Sequence, residues 1–128
     1  MIHFAMVKIS GKLERLAVVS FLSDFKEFAS KDKIEIASRD NYLNTLAKLG
    51  MAQQEAKEII LGLTPANYYK GMGQGERDNE EVCEFGVCRG GRNIYIKLLM
   101  NRKQEKAFCF SFHIAEREIN YPFADDVG

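Results

Sequence analysis

Glu84, Tyr95 and His113 bring a carboxylate, a phenol and an imidazole into the second half of the chain, and the amine of Lys70 precedes them. Cleavage of RNA without a metal needs a base for the 2′-OH proton, a donor that stabilises the charged phosphorane and an acid for the leaving 5′-oxygen. Glu84 is a candidate base, His113 a candidate acid and Lys70 a candidate phosphate contact. Tyr95 could donate to phosphate or stack on a nucleobase. Taken singly, each such side chain is more often a surface residue than a catalyst, so their joint placement decides the argument.

Three stretches with alternating apolar residues are expected to position these side chains. Val82 to Val87, Asn93 to Leu99 and Ala107 to Ile114 each alternate, as half-buried strands do. Gly90-Gly91 marks a turn between the first two, and a charged loop from Asn101 to Lys106 separates the last two. The pattern predicts a three-stranded antiparallel meander.

Strand parity predicts which side chains share a face of this sheet. The apolar residues of the last strand are expected on the core side, and so are alternate residues of the other two: Phe108, Phe110, Phe112, Ile114, Ile94, Ile96, Leu98, Cys83, Phe85 and Val87. The opposite face then holds Cys109, Asn93 and the polar residues Glu84, Tyr95, Lys97, Ser111 and His113. A slip of one residue would reverse this assignment, because side chains alternate with period two.

The first half of the chain reads mainly as helix. Residues 1–20 fit either a β-hairpin turning at Gly11-Lys12 or the start of a helix, and both remain open. Helical spacing is clearer from Ser23, a candidate N-cap, through Phe25, Phe28 and Ala29. Lys33 to Ala37 reads as a short extended segment.

Two further helices are predicted before the strands. Ser38 is a candidate N-cap of a helix that presents Leu43, Leu46 and Ala47 on one face and ends at Gly50. The next helix, Gln53 to Leu61, is expected to present Ala56, Ile59, Ile60 and Leu63 inward and to end at Gly62.

Thr64-Pro65 then predicts the start of a short helix that carries Asn67, Tyr68, Tyr69 and Lys70. The glycine-rich stretch 71–75 is expected to be a mobile linker. Helices followed by an antiparallel meander indicate an α+β fold, with a small sheet packed on N-terminal helices.

Opposite charges are concentrated in two neighbouring segments, although the formal net charge is zero. Residues 89–106 carry six Lys or Arg and one Glu, whereas residues 76–84 carry five Asp or Glu and one Arg. A neutral chain is not expected to bind nucleic acid indiscriminately. The basic segment nevertheless provides four candidate RNA contacts: Arg92, Lys97, Arg102 and Lys103. The alternative interpretation is two solvated loops of opposite charge.

Three cysteines are an odd number, which disfavours a disulfide framework. Cys83, Cys88, Cys109 and His113 have the ligand types of a zinc site. However, Cys109 and His113 would lie roughly 13 Å apart on one extended strand, too far to share a tetrahedral ion. We expect neither a metal nor another cofactor.

Length and hydropathy predict a single domain over residues 1–128. Residues 1–20 and the acidic tail 117–128 exceed the core pattern, with Tyr121-Pro122-Phe123 a candidate anchored turn. Leu16 to Leu22 is too short for a signal sequence or a membrane span. We therefore expect a cytoplasmic protein without a membrane partner.

Three sequence blocks, in this order, resemble the MqsR family of bacterial toxins: LGLTPANYYKG at 61–71, RNIYIKL at 92–98 and FCFSFHIAE at 108–116. The resemblance covers roughly Ser23 to Glu116. It implies a RelE-like fold and a toxin–antitoxin ribonuclease that cuts mRNA and is silenced by a cognate antitoxin. The partners it implies are the antitoxin and mRNA, with the ribosome left open.

The resemblance also assigns individual residues. The family's lysine after an aromatic pair corresponds to Lys70, and its strand tyrosine before a lysine corresponds to Tyr95. Its closing Ser-Phe-Lys matches 111–113, where His113 replaces the basic residue. The family glutamine has no counterpart in EEVCEFG at 80–86, so Glu84 is a candidate for its chemical role.

Two functions therefore remain open. The first is an endoribonuclease toxin that uses the outer sheet face. The second is a non-catalytic module of the same fold that binds RNA or antitoxin. The neutral charge and the lost glutamine favour the second, whereas the retained Lys70, Tyr95 and ionisable His113 favour the first.

Overall fold

The chain forms three helices and a five-stranded sheet in a computed structural model that describes the backbone of residues 2–124 and the side chains of residues 11–124. The predicted α+β class is confirmed. The elements are α1 (Ile2–Lys31), β1 (Glu35–Ile36), α2 (Asp40–Leu49), α3 (Gln53–Leu61), a 3₁₀ turn (Pro65–Asn67), β2 (Tyr68–Gln74), β3 (Glu80–Arg89), β4 (Arg92–Asn101) and β5 (Lys106–Ile114).

The strands lie in the order β1-β5-β4-β3-β2. The predicted meander is β3, β4 and β5, and its neighbours pair antiparallel. Two strands that the alternation did not predict extend it: β2 pairs antiparallel with β3, and β1 pairs parallel with β5.

Helix α1 resolves the alternative left open for the N-terminus in favour of a helix. It runs unbroken from Ile2 to Lys31, so the prediction that Ser23 caps a new helix is wrong. Over residues 11–31, where its side chains are described, α1 buries residues at helical spacing: Val18, Phe21, Leu22, Phe25 and Phe28. The rings of Phe21 and Phe25 stack with their centroids 5.9 Å apart. This apolar stripe overrides the local capping signal of Ser23.

Helix α2 begins one residue later than predicted, and of its three predicted inward residues Leu46 is buried whereas Leu43 and Ala47 are exposed. Arg39, not Ser38, occupies the N-cap position. The buried residues are Tyr42, Thr45 and Leu46, whereas Leu43 is 47% exposed. Thr45 explains the shift, because its hydroxyl accepts a hydrogen bond of 3.0 Å from the backbone N–H of Ile114 and ties α2 to β5.

Helix α3 has its predicted bounds. Ala56, Ile60 and Leu63 are buried as predicted, and Ile59 is half-buried against the core. The left-handed conformation of Gly50 at the end of α2 is also confirmed, with φ of 60°.

The segment after α3 departs from the prediction. Thr64 does cap a turn that begins with Pro65, but the turn ends at Asn67. Tyr68, Tyr69 and Lys70 therefore lie on β2 and not on a helix. Most of the stretch predicted to be a mobile linker is strand as well, and the backbone N–H of Gly75 donates to the carbonyl of Glu80 at 2.8 Å. Pairing with β3 overrides the local preference of glycine for turns.

Parity is confirmed on β3 and β4. Cys83, Phe85, Ile94, Ile96 and Leu98 are fully buried on the inner face of the sheet. The helices cover this face, and their buried residues form one cluster with it.

Parity is wrong for the first part of β5. Cys109 pairs with Leu98 and Ser111 pairs with Lys97, so Phe110 lies between them without a partner in a β-bulge. The bulge turns Cys109 inward, whereas Phe108 is half-buried and Phe110 is 42% exposed. Phe112 is buried, as predicted, and Ile114 is half-buried.

All three cysteines are free thiols. Cys83 and Cys109 are buried and Cys88 is exposed. Burial raises the pKa of Cys109 to about 12, and burial followed by the charge of Glu84 raises the pKa of Cys83 still further. Within residues 11–124, no group of three His, Cys, Asp or Glu side chains is placed to hold a metal ion.

None of the described helices is long and apolar enough to cross a membrane.

Candidate active site

The outer face of the sheet brings together the predicted polar cluster. Lys70 on β2 pairs with Glu84 on β3, and Glu84 pairs with Lys97 on β4. Two residues before Lys97 on β4, and on the same face of the sheet, Tyr95 pairs with His113 on β5. Cross-strand neighbours lie about 5 Å apart, so four strands supply adjoining functional groups.

Tyr95 holds the carboxylate of Glu84. The phenol donates a hydrogen bond of 2.6 Å to Oε1 of Glu84. Burial, and then the hydrogen bond and charge of Glu84, raise the pKa of Tyr95 well above its ordinary value. Tyr95 is therefore a neutral donor at physiological pH and fixes the direction of the carboxylate.

Gly71 makes room for the other oxygen of the same carboxylate. A Cβ atom at this position would lie 2.1 Å from Oε2 of Glu84. The backbone of Gly71 has a φ of +80°, which favours glycine. The pairing of β2 with β3 is irregular between Tyr68 and Gly73, and this irregularity brings the strand backbone against Glu84.

His113 lies half-buried beside Tyr95, with the two ring centroids 5.3 Å apart. Its Nδ1 is 2.9 Å from the carbonyl oxygen of Ile114. Because a carbonyl oxygen only accepts, Nδ1 is assigned the hydrogen and Nε2 is left to exchange a proton with a ligand. The backbone thus selects the tautomer.

Lys70 supplies an exposed amine at the rim of the cluster. Its Nζ lies 4.9 Å from the centroid of the Tyr69 ring, at a distance typical of a cation–π contact. The two tyrosines before the lysine therefore have different roles: Tyr69 contacts the amine of Lys70, and Tyr68 packs in the core against Phe85.

A cleft of about 190 Å³ lies over this cluster. The lining residues are Tyr69, Lys70, Glu84, Tyr95, His113, Ala115, Glu116, Arg117 and Ile119. Tyr69 and Arg117 were not among the predicted site residues, although the aromatic pair before Lys70 was a signal for Tyr69. No pattern in the sequence points to Arg117, because its place depends on the fold of the segment that follows β5.

That segment, residues 115–124, contributes Ala115, Glu116, Arg117 and Ile119 to the cleft lining. Ile119 is buried, and the hydroxyl of Tyr121 donates a hydrogen bond of 2.8 Å to Oδ1 of Asn93. Both side chains lie against Gly86, where a Cβ would be 2.7 Å from the Tyr121 hydroxyl. Phe123 stacks on Tyr68 at 5.3 Å, so the predicted anchored turn is confirmed. Asp125 and Asp126, the acidic part of the predicted tail, lie outside the described residues.

The four predicted RNA contacts are not equally close to the cleft. Lys97 joins the cluster, and Arg92 begins β4 roughly 10 Å before Tyr95. Lys103 follows the other end of β4, which lies roughly 20 Å from Tyr95. Arg102 is held by a 2.8 Å ion pair with Asp24 and by hydrogen bonds to Glu81. These carboxylates, and then the burial that opposes them, leave the pKa of Arg102 above its ordinary value.

The model of a protein family described as motility quorum-sensing regulator, toxin of MqsA, matches residues 18–114 of the chain. These residues include Lys70, Glu84, Tyr95 and His113. The chain belongs to the MqsR toxin family. Membership implies a toxin of a toxin–antitoxin system, with an antitoxin as its partner. No curated protein and no solved structure matches the chain significantly.

The match ends at Ile114, so the four cleft residues of the following segment lie beyond the part shared with the MqsR family. The proposed acid, base and phosphate contacts of this MqsR-family toxin are inside the shared part. Arg117 is outside it.

Proposed function

We propose that this MqsR-family toxin is a metal-independent endoribonuclease that acts in the cytoplasm on single-stranded mRNA. The observation that carries the proposal is the placement of Glu84 and His113 on either side of Tyr95 in one cleft. A carboxylate and an imidazole on either side of one bound phosphate can act as a complementary base and acid.

In the proposed reaction, Glu84 takes the proton of a 2′-OH while the 2′-oxygen attacks the adjacent phosphorus. The new O2′–P bond forms as the P–O5′ bond breaks, and Nε2 of protonated His113 gives its proton to the leaving 5′-oxygen. The products are a 2′,3′-cyclic phosphate and a 5′-hydroxyl. Neither proton transfer needs a metal-bound water.

Lys70 and Tyr95 are proposed to stabilise the phosphorane. The Lys70 amine lies opposite Glu84 on the next strand and is exposed to incoming phosphate. Tyr95 keeps its proton at neutral pH, so it can donate to a phosphate oxygen once Glu84 has accepted the 2′-OH proton and no longer carries the charge that holds the phenol. Lys97 and Arg92 are proposed to contact neighbouring phosphates, and Arg102 and Lys103 more distant ones.

Cleavage of a labelled single-stranded RNA in the presence of excess EDTA tests the proposal. The comparison is wild type against the triple variant Lys70→Ala/Tyr95→Phe/His113→Ala, with Lys48→Ala as a control on the exposed side of α2. Loss of the acid alone should lower the rate by roughly 10²- to 10⁴-fold. Equal cleavage by wild type and the triple variant would identify a contaminating nuclease and refute the proposal.

The second candidate function is a non-catalytic module that binds antitoxin or RNA. It is favoured by the neutral net charge and by the ion pairs that occupy Arg102. Induced expression in bacteria separates the two: a ribonuclease should arrest growth, and His113→Ala should restore it. Growth arrest that persists in His113→Ala, or no arrest at all, would favour the binding module.

A further inference from the structure

Phe110 is an apolar side chain that the fold turns outward. Without the bulge opposite Lys97 and Leu98, Phe110 would share a face with Phe112 and point into the core. A bulge next to a candidate active site commonly redirects a side chain. Here the result is an aromatic ring that is 42% exposed on the same sheet face as the cleft.

Two cations accompany this ring. The guanidinium carbon of Arg39 lies 4.2 Å from the centroid of the Phe110 ring, and Nζ of Lys97 lies 5.4 Å from it. Lys97 also pairs with Glu84 across the strands, so it lies between the ring and the catalytic cluster. The guanidinium of Arg39 lies over the Phe110 ring, so the pair presents a positive charge to an incoming ligand.

The surface opens onto a second groove, of about 650 Å³, on the outer face. Phe108, Leu99 and Val82 form its apolar floor. Glu35, Glu76 and Glu80 also line it, so phosphate is favoured beside Arg39 and Lys97 and disfavoured toward those carboxylates. Lys97 lines this groove and pairs across the strands with Glu84, which lines the cleft.

We propose that Phe110 and Arg39 form a stacking platform for an unpaired base of the RNA substrate, with Lys97 contacting the phosphate between this base and the scissile bond. The proposal rests on the function proposed above and names a substrate subsite for it. Phe110 and His113 are separated by roughly 10 Å along β5. One RNA strand can therefore occupy both positions. Unpaired bases stack on aromatic rings and guanidinium planes, which is the pair present here.

A tryptophan at position 110 tests the platform directly, because the chain contains no tryptophan. The probe is a random-sequence RNA with 2′-O-methyl groups throughout, which lacks the nucleophile and is not cleaved. Stacking should quench the fluorescence of Phe110→Trp. The matched control is Leu61→Trp on α3, where the native side chain is 43% exposed and the helix packs on the inner face. Its fluorescence should not change.

Affinity for the same probe gives the magnitude. Phe110→Ala should weaken binding by roughly 5- to 150-fold, which corresponds to the loss of one stacked base. Phe110→Leu keeps the apolar bulk and should also weaken it, whereas Leu61→Ala should not. Circular dichroism of each variant verifies its fold.

Wild-type affinity in both Phe110→Ala and Phe110→Leu would overturn the proposal, as would failure of wild type to bind the probe. Loss of antitoxin binding with unchanged RNA binding would instead identify a protein-docking surface and equally overturn it. The test does not depend on catalysis. If the ribonuclease proposal fails and the platform is correct, no RNA is cleaved but binding of the probe still depends on Phe110. If only the platform fails, wild type still cleaves RNA.

Discussion

Replacing Gly71 by alanine should inactivate the proposed site with a small effect on folding. The added Cβ would lie 2.1 Å from Oε2 of Glu84, closer than any two such atoms can approach. The obstructed atom is at the end of a flexible side chain, so the carboxylate can move away at little cost. In moving, it loses its 2.6 Å hydrogen bond from Tyr95.

The expected magnitudes differ between stability and activity. An alanine at the φ of +80° found at Gly71 should cost about 1–2 kcal/mol of unfolding free energy. A displacement of about 1 Å of a reacting group can lower the rate by about 100-fold. We therefore expect kcat to fall by about two orders of magnitude while the protein remains folded.

Two glycine variants separate backbone strain from displacement of Glu84. Gly91→Ala introduces the same strain, with φ of +75°, but has no atom within 4 Å of the new Cβ. Gly73→Ala, two residues from Gly71 on β2, has neither strain nor a close neighbour. Urea unfolding and cleavage of a labelled RNA are measured for all three. Equal kcat for Gly71→Ala and Gly91→Ala would refute the assignment of Glu84 as the base.

Three further predictions concern His113, pH and partners. His113→Ala should lower the cleavage rate because the leaving 5′-oxygen loses its proton donor; a rate equal to that of wild type would exclude His113 from the mechanism, and a His113→Lys variant that keeps the full rate would assign this position to phosphate contact instead. Burial raises the pKa of Tyr68 from 10.0 to about 12, so the folded state binds the phenol proton more tightly than the unfolded state does. The stability gained from this proton should be complete below about pH 10 and decline as pH rises toward 12. A urea midpoint that is constant between these two pH values would contradict the prediction. The antitoxin should bind an edge of the sheet or the basic segment 89–106; a pull-down from the native host that recovers no small acidic or DNA-binding protein would count against it.

The outer-face cluster could be predicted because local signals determine it. Gly90-Gly91 sets the turn between β3 and β4, and the alternation around Glu84 and Tyr95 sets their faces. The ranges of α3 and of the meander followed from equally local patterns. The chemical roles assigned to these residues remain predictions.

The bulge at Phe110 could not be predicted, because four apolar residues at period two read as one regular strand. Strand β2 was not predicted for the opposite reason, because its glycines carry a turn signal. The positive φ of Gly71 and the nearby carboxylate of Glu84 explain why glycine is required at that position of the strand. The length of α1 was missed because Ser23 resembles a cap. Each error arose where a contact distant in sequence outweighs a local preference.

The hairpin of β3 and β4 carries both Glu84 and Tyr95, and this has a consequence for the order of folding. Its loop is only two residues long, so closing it costs little chain entropy, and β5 adds His113 through a similarly short connection. In contrast, the ion pair between Asp24 and Arg102 joins distant parts of the chain. We expect the cluster to form early and α1 to dock late. Substitutions that weaken α1 should then reduce the number of folded molecules without changing the reaction rate of each one.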